Sequence, residues 1–129
     1  MSKTIIATSN APKANGCYSQ GVLAGNTLYV SGQLPIDPKT GEKLVDEPIE
    51  VQAKQVFTNI IEIVKSAGGD IDSVVKVSIY LEDINSWDIV NKVYGELFTK
   101  DFPARCVLAI GTLHYGFKIE AEAIAYIKN

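Results

Sequence analysis

A chain of 129 residues is long enough for one domain that buries roughly two-thirds of its unfolded surface, and 47% hydrophobic with 21% charged residues is an ordinary globular mix. The formal net charge of −3, with no clustered Lys and Arg, argues against nucleic acid or an anionic membrane as a partner, because both demand cations that displace counterions. Cys17 and Cys106 have no CxxC spacing, and a single histidine cannot complete a zinc set with them, so two reduced thiols are expected. The stretch from Met1 to Ala7 is too short for the apolar core of a signal peptide, and no apolar run approaches ~20 residues, so the expected location is the cytoplasm.

Along the chain, Ile5 and Ile6 open a short strand, and Asn10 to Gly16, with Pro12, reads as loop. Tyr18–Ala24 and Thr27–Ser31 are β-prone runs around Gly25-Asn26, a tight-hairpin signal. From Gln33 to Asp46, the residues Pro35, Pro38 and Gly41 predict a surface loop with a turn at Asp37–Gly41. A helix then starts at Pro48. Ile49, Ala53, Val56, Ile60, Val64 and Ala67 form its apolar stripe, Phe57, Ile61 and Ile63 widen it, and Gly68-Gly69 ends it.

Val74–Leu81 is a strand whose Val75, Val77, Ile79 and Leu81 are expected on one face, with Lys76, Ser78 and Tyr80 on the other. Asp83, Asn85 and Ser86 are candidate caps for a second helix running to about Phe98, with the stripe Val90, Val93, Tyr94 and Leu97. Arg105–Ile110 and Phe117–Ile127 complete six strands. Phe117, Ile119, Ala121, Ala123, Ala125 and Ile127 alternate with Lys118, Glu120, Glu122, Ile124 and Tyr126. The expected fold is α+β: a mixed six-stranded sheet with two helices on one face, in one domain spanning residues 1–129. The uncovered sheet face is only partly polar, which suggests oligomerisation through it.

The short catalytic motifs GxGxxG, the P-loop, HExxH and GxSxG are absent. Arg105 opens an otherwise apolar strand, where its guanidinium either clamps a ligand carboxylate or makes a surface salt bridge. Glu120 either activates water from a half-buried position or belongs to a solvated face. Asn91 neighbours Tyr94 on the second helix, and Tyr18, Ser31 and Gly32 lie at strand ends, where sites gather. His114 stands alone, without the second acid–base partner that a paired-histidine nuclease needs.

Taken in order, several segments resemble one family: Ala11-Pro12 with Gly16-Cys17-Tyr18-Ser19-Gln20-Gly21, Ser31-Gly32-Gln33-Leu34-Pro35, Asn91-Lys92-Val93-Tyr94, Pro103-Ala104-Arg105, and Ile119-Glu120-Ala121-Glu122-Ala123-Ile124-Ala125. Together they are similar to the RidA/YjgF reactive-intermediate deaminases over nearly the whole chain. The resemblance implies a chorismate-mutase-like fold and a homotrimer whose sheets pack inward as a barrel, with three sites between subunits. It implies hydrolysis of 2-aminoacrylate, 2-aminocrotonate and related imines, released by pyridoxal-phosphate-dependent dehydratases, to 2-keto acids and ammonia, without a metal or organic cofactor. In the implied site Arg105 grips the substrate carboxylate and Glu120 holds the attacking water. Tyr18, Ser31 and Gly32 line the cleft, Asn91 adds a polar edge, and the backbone amide of Val107 helps bind.

Three positions depart from the family pattern. Cys17 replaces a Pro, Val107 a frequent Cys, and His114-Tyr115-Gly116 a Pro-Lys-Asp-like turn, so a shift in preferred substrate size is expected. Two rival readings remain. One is a non-catalytic keto-acid-binding regulator using the same Arg105. The other, weaker one is an endoribonuclease.

Overall fold

In the computed structural model residues 2–128 are described; Met1 and Asn129, the ends of the expected 1–129 span, lie outside the described residues. The elements run β1 (Thr4–Ile6), β2 (Gly21–Ala24), β3 (Thr27–Gln33), α1 (Ile49–Ser66), β4 (Val74–Leu81), α2 (Trp87–Phe98), β5 (Ala104–Ala109) and β6 (Ile119–Tyr126). Single 3-10 turns at Ile71–Ser73, Ile84–Ser86 and His114–Gly116 punctuate the connections. The order of strands and helices matches the expectation from the apolar periodicity.

Helix α1 follows from its stripe: Ile49, Ala53, Val56, Phe57, Ile60 and Val64 are all buried. Its end is a glycine cap. Gly68, at φ 98°, takes the left-handed conformation, and the N–H groups of Gly68 and Gly69 donate to Lys65 O and Val64 O. Its start has no side-chain cap at Pro48. The buried Gln52 ties it down instead, donating through Nε2 to Val45 O and Glu47 O and accepting the Lys118 N–H at Oε1.

The sheet order is β1-β2-β3-β6-β4-β5. Every neighbouring pair is antiparallel except β4–β5, which is parallel because the α2 crossover joins them. Both helices lie against one face, over Leu28, Val30, Val77, Ile79, Leu81, Ile119 and the small Ala121, Ala123 and Ala125. Phe57, Tyr94 and Phe98 join α1 to α2, with Tyr94 stacked on Phe98 at 4.3 Å and edge-on to Phe57 at 5.3 Å.

Three details depart from the sequence reading. Val75 does not share the inner face. A register shift between Val74 and Lys76 in the β4–β6 pairing turns Val74 inward and leaves Val75 48% exposed. Tyr18, Ser19 and Gln20 are loop rather than strand. The buried Gln20 side chain donates to Thr8 O, Ala11 O and Pro12 O and accepts the Thr8 N–H, so it folds the preceding loop back on itself. Finally, Phe98 rather than Leu97 is the fully buried end of the α2 stripe.

Among the described residues the opposite sheet face carries no helix. Ile5, Val22, Tyr29, Ile124 and Lys76 form one cross-strand row there. Ile5, Tyr29, Leu108 and Tyr126 are about half exposed.

Candidate active site

Strand β5 is an edge strand, and its register decides where Arg105 points. Arg105 pairs with Val77, and Val77 with Ala123, both buried under the helices. Arg105 therefore turns to the helix side, at the margin where α2 ends the layer. Trp87, Asn91 and Tyr94 are spaced by four and three residues, so they share one face of α2. All three meet the guanidinium. Nη1 donates to Asn91 Oδ1 at 2.9 Å, and the guanidinium carbon lies 4.8 Å from the Tyr94 ring centre and 5.4 Å from that of Trp87. Among the described residues the one ion pair is Lys65–Glu62, so Arg105 has no carboxylate partner. Within one copy, Arg105 therefore makes no surface salt bridge. The guanidinium faces a cleft of about 390 Å³ shared with Asn91, Tyr94, Gly95, Phe102 and Pro103.

Tyr94 is unusual within this group. Its hydroxyl is buried and has no hydrogen-bond partner among the described residues. Burial pushes its pKa up to about 12, against the pull of the Arg105 charge. The phenol is therefore neutral near neutral pH, and its ring acts as an uncharged platform for the cation. Val107 pairs with Ile79, and its half-buried side chain packs on the core. The Ile110 N–H donates to Leu81 O, so alternation along a parallel strand turns the backbone N–H groups of Arg105 and Val107 outward, to the free sheet edge.

Glu120 lies on the opposite face. It pairs with Tyr80, whose other neighbour is Leu108, in the row without a helix. Its carboxylate packs against Gly32, so closely that a Cβ there would sit 2.1 Å from Oε2. Gly32 falls in the register shift between Val30 and Gln33, where β3 departs from regular pairing with β6. No hydrogen bond to the Glu120 carboxylate is formed within the described residues. Burial raises its pKa most, the Glu122 charge raises it further, and His114 opposes both. Tyr80, beside it, donates to Glu122 Oε1. Ser31 is occupied locally: its hydroxyl donates to Ser19 O and its N–H to Gln20 O, pinning the Tyr18 loop to β3. Tyr18, 49% exposed, lines a small pocket with Asn15 and Gly32.

The expected site residues thus form two groups. Arg105, Asn91 and Val107 gather at the β5 edge on the helix side, whereas Glu120, Gly32, Ser31 and Tyr18 gather on the open face. One copy of the chain does not bring the groups together.

The sequence profile of the endoribonuclease L-PSP family matches residues 8–127. A 2-iminobutanoate/2-iminopropanoate deaminase of Bos taurus is 47% identical over 95% of this chain and 89% of its own length. A RutC family protein of Pyrococcus horikoshii is 47% identical over 96% of this chain and 98% of its own. The crystal structure of the YjgF gene product from E. coli superposes with a TM-score of 0.92 at 41% identity, covering 97% of this chain and 99% of that one. The chain belongs to the RidA/YjgF family.

Membership settles the fold: the mixed six-stranded sheet with two helices is that of the RidA/YjgF structures. Sequence reasoning missed Trp87 and Tyr94 as partners of Arg105. Tyr94 was assigned to the core, and Trp87 lies off the apolar stripe. Their i, i+4, i+7 spacing with Asn91 was the available signal. In this RidA/YjgF chain no three His, Cys, Asp or Glu side chains among the described residues are placed to share a metal ion, and no helix is long and apolar enough to cross a membrane.

Proposed function

We propose that this chain hydrolyses enamine and imine intermediates such as 2-aminoacrylate and 2-aminocrotonate to 2-keto acids and ammonia. The observation that carries the reading is Glu120, a half-buried carboxylate of raised pKa, unpaired and packed against Gly32. A protein that only binds a carboxylate ligand gains nothing from a second negative charge, whereas water attack on an iminium carbon needs a base. The enamine first takes a proton from solvent at C3, the carbon β to the carboxylate, and becomes the iminium. Arg105 grips the carboxylate with its free donors, assisted by the outward Val107 N–H, while Asn91 fixes the guanidinium. Glu120 holds a water and accepts its proton as the oxygen bonds to C2, and the C=N π pair moves to nitrogen. The proton passes from Glu120 to nitrogen, the C–N bond breaks, ammonia leaves with the bonding pair, and the new hydroxyl gives its proton to Glu120 as the C=O bond forms. Orientation supplies most of the rate, since the iminium carbon is already electrophilic. No metal or organic cofactor has a step in this scheme.

Arg105 of one copy and Glu120 of another make the complete site in this proposal, in a homotrimer whose open faces pack inward as a barrel. The half-exposed Ile5, Tyr29, Leu108 and Tyr126 on the helix-free face support such burial. The chain acts in the cytoplasm as one unit over residues 1–129, beside pyridoxal-phosphate-dependent dehydratases that release the imines.

The test couples the protein to a threonine or serine dehydratase and follows 2-keto acid release. Wild type accelerates release, and Arg105→Ala and Glu120→Ala do not. No acceleration by wild type, with a keto acid still bound through Arg105, replaces the reading with a keto-acid-binding regulator. Salt-dependent RNA binding and cleavage replaces it with a ribonuclease.

A further inference from the structure

The surroundings of Glu120 include residues that the deaminase roles leave unused. Tyr18 Oη donates to Asn15 Oδ1 at 2.9 Å, and Asn15 Nδ2 donates to Tyr115 Oη at 3.1 Å. These bonds tie the N-terminal loop to the 3-10 turn at His114–Gly116, although Asn15 and Tyr115 stand 100 positions apart. Tyr115 has φ 60°, a left-handed conformation that a residue with a side chain holds only when its surroundings impose it. They do so here from three directions. Its ring lies 3.7 Å from that of His114, edge-on to the buried Phe117 at 5.9 Å, and under the Lys43 ammonium at 4.9 Å.

Both ends of this strap reach the Glu120 half-site. Asn15 and Tyr18 line one pocket with Gly32, the glycine that the carboxylate touches. At the other end, His114 is close enough for its charge to act on Glu120. The pocket between Asn15, Tyr18 and Gly32 has a volume of only about 30 Å³, the share of a single water or methyl-sized group. The substrate chemistry then sets what meets the strap. C2 of a 2-imino acid carries a carboxylate, a nitrogen and a side chain. With the carboxylate on Arg105 and C2 beside Glu120, the side chain is directed at the walls around Glu120.

We propose that Asn15 and Tyr115 are specificity-determining residues, and that the Tyr18–Asn15–Tyr115 strap restricts the site to 2-imino acids with small, unbranched side chains. A leucine-sized group has to open the Asn15–Tyr115 bond to enter. This inference rests on the deaminase reading and names the substrate class within it. The exposed strap bond corresponds to about a 3- to 10-fold discrimination, the range expected for one neutral hydrogen bond.

The experiment generates imines in place with an amino-acid oxidase, from 2-aminobutyrate and from leucine, and measures kcat/KM for each. In Asn15→Ala and in Tyr115→Phe the leucine-to-aminobutyrate ratio rises about 3- to 10-fold, and the double variant shows no larger rise than Asn15→Ala alone, because Tyr115→Phe cuts a bond that Asn15→Ala has already removed. The same variants are titrated with 2-oxobutanoate and 4-methyl-2-oxopentanoate by calorimetry, where the affinity ratio moves in the same direction. An unchanged ratio in both variants, or a parallel loss for both substrates, overturns the strap. If wild type hydrolyses neither imine, the deaminase reading falls, and the strap stands or falls on the two keto-acid affinities.

Discussion

Replacing Gly32 by alanine separates activity from stability, and the structure gives the size of each effect. The new Cβ would lie 2.1 Å from Oε2 and 3.1 Å from Cδ of Glu120. Carbon–oxygen contacts settle well above 3 Å, so the carboxylate has to withdraw by about 1 Å. A displacement of that size at a reacting group costs about 100-fold in rate. The fold is barely taxed. Gly32 is not among the glycines with positive φ, so an alanine backbone is unstrained there. What must move is the far end of one side chain. The lower entropy of the unfolded alanine chain favours folding by about 0.4–1 kcal/mol, and an off-rotamer Glu120 costs about as much. Gly32→Ala is therefore expected to melt within about 5 °C of wild type, with kcat down about 100-fold and KM nearly unchanged. The dehydratase-coupled assay and a thermal scan on the same sample read both quantities. Glu120→Asp alone is slow, and combining it with Gly32→Ala adds little further loss, because the shorter side chain clears the methyl group. A variant that keeps wild-type kcat would refute the reasoning, since Glu120 would then need no fixed position.

Arg105→Lys keeps the charge but loses the two-donor fork and the stacking on Tyr94 and Trp87, so KM rises about 10- to 100-fold while kcat falls less, as read by initial rates. Burial and the Glu122 charge raise the Glu120 pKa, so the acidic limb of kcat/KM lies above the ordinary value of 4.5, and Glu122→Gln moves that limb to lower pH in a rate profile. Because the folded pKa exceeds the unfolded one, Glu120 favours the folded state below its unfolded pKa and loses that contribution as pH rises through the folded value, which pH-dependent denaturant titrations detect. Tyr94→Phe removes a buried hydroxyl without a partner and keeps the ring beneath Arg105, so stability in urea rises by about 1 kcal/mol with KM unchanged.

Much of the fold was legible because its apolar spacing is regular. The stripe of α1, apart from the half-buried Ala67 at its cap, and the alternation of β6 bury the residues that their periods assign. Val75 was misread because one inserted residue reverses a period of two, and nothing in Val74-Val75-Lys76 marks the shift. Tyr18–Gln20 looked β-prone, but a single buried amide, Gln20, holds that segment as loop through bonds to residues 8–12 positions away. The site was legible as residue types and not as places. Strand order put Arg105 and Glu120 on opposite faces, and order is a property of long-range pairing that local pattern does not encode. The aromatic platform of Trp87 and Tyr94, and the strap from Asn15 to Tyr115, likewise join residues whose proximity only the folded chain reveals.

If the Arg105 group of one copy works with the Glu120 group of another, subunits carrying complementary defects restore activity when mixed. Arg105→Ala and Glu120→Ala proteins, each inactive alone, are unfolded together, refolded in equal amounts and checked by native mass spectrometry for mixed assemblies. Random assembly places an intact Arg105 against an intact Glu120 in about a quarter of the interfaces, so the mixture recovers about a quarter of wild-type imine hydrolysis. Mixed assemblies that form and remain as inactive as either parent would contradict the account.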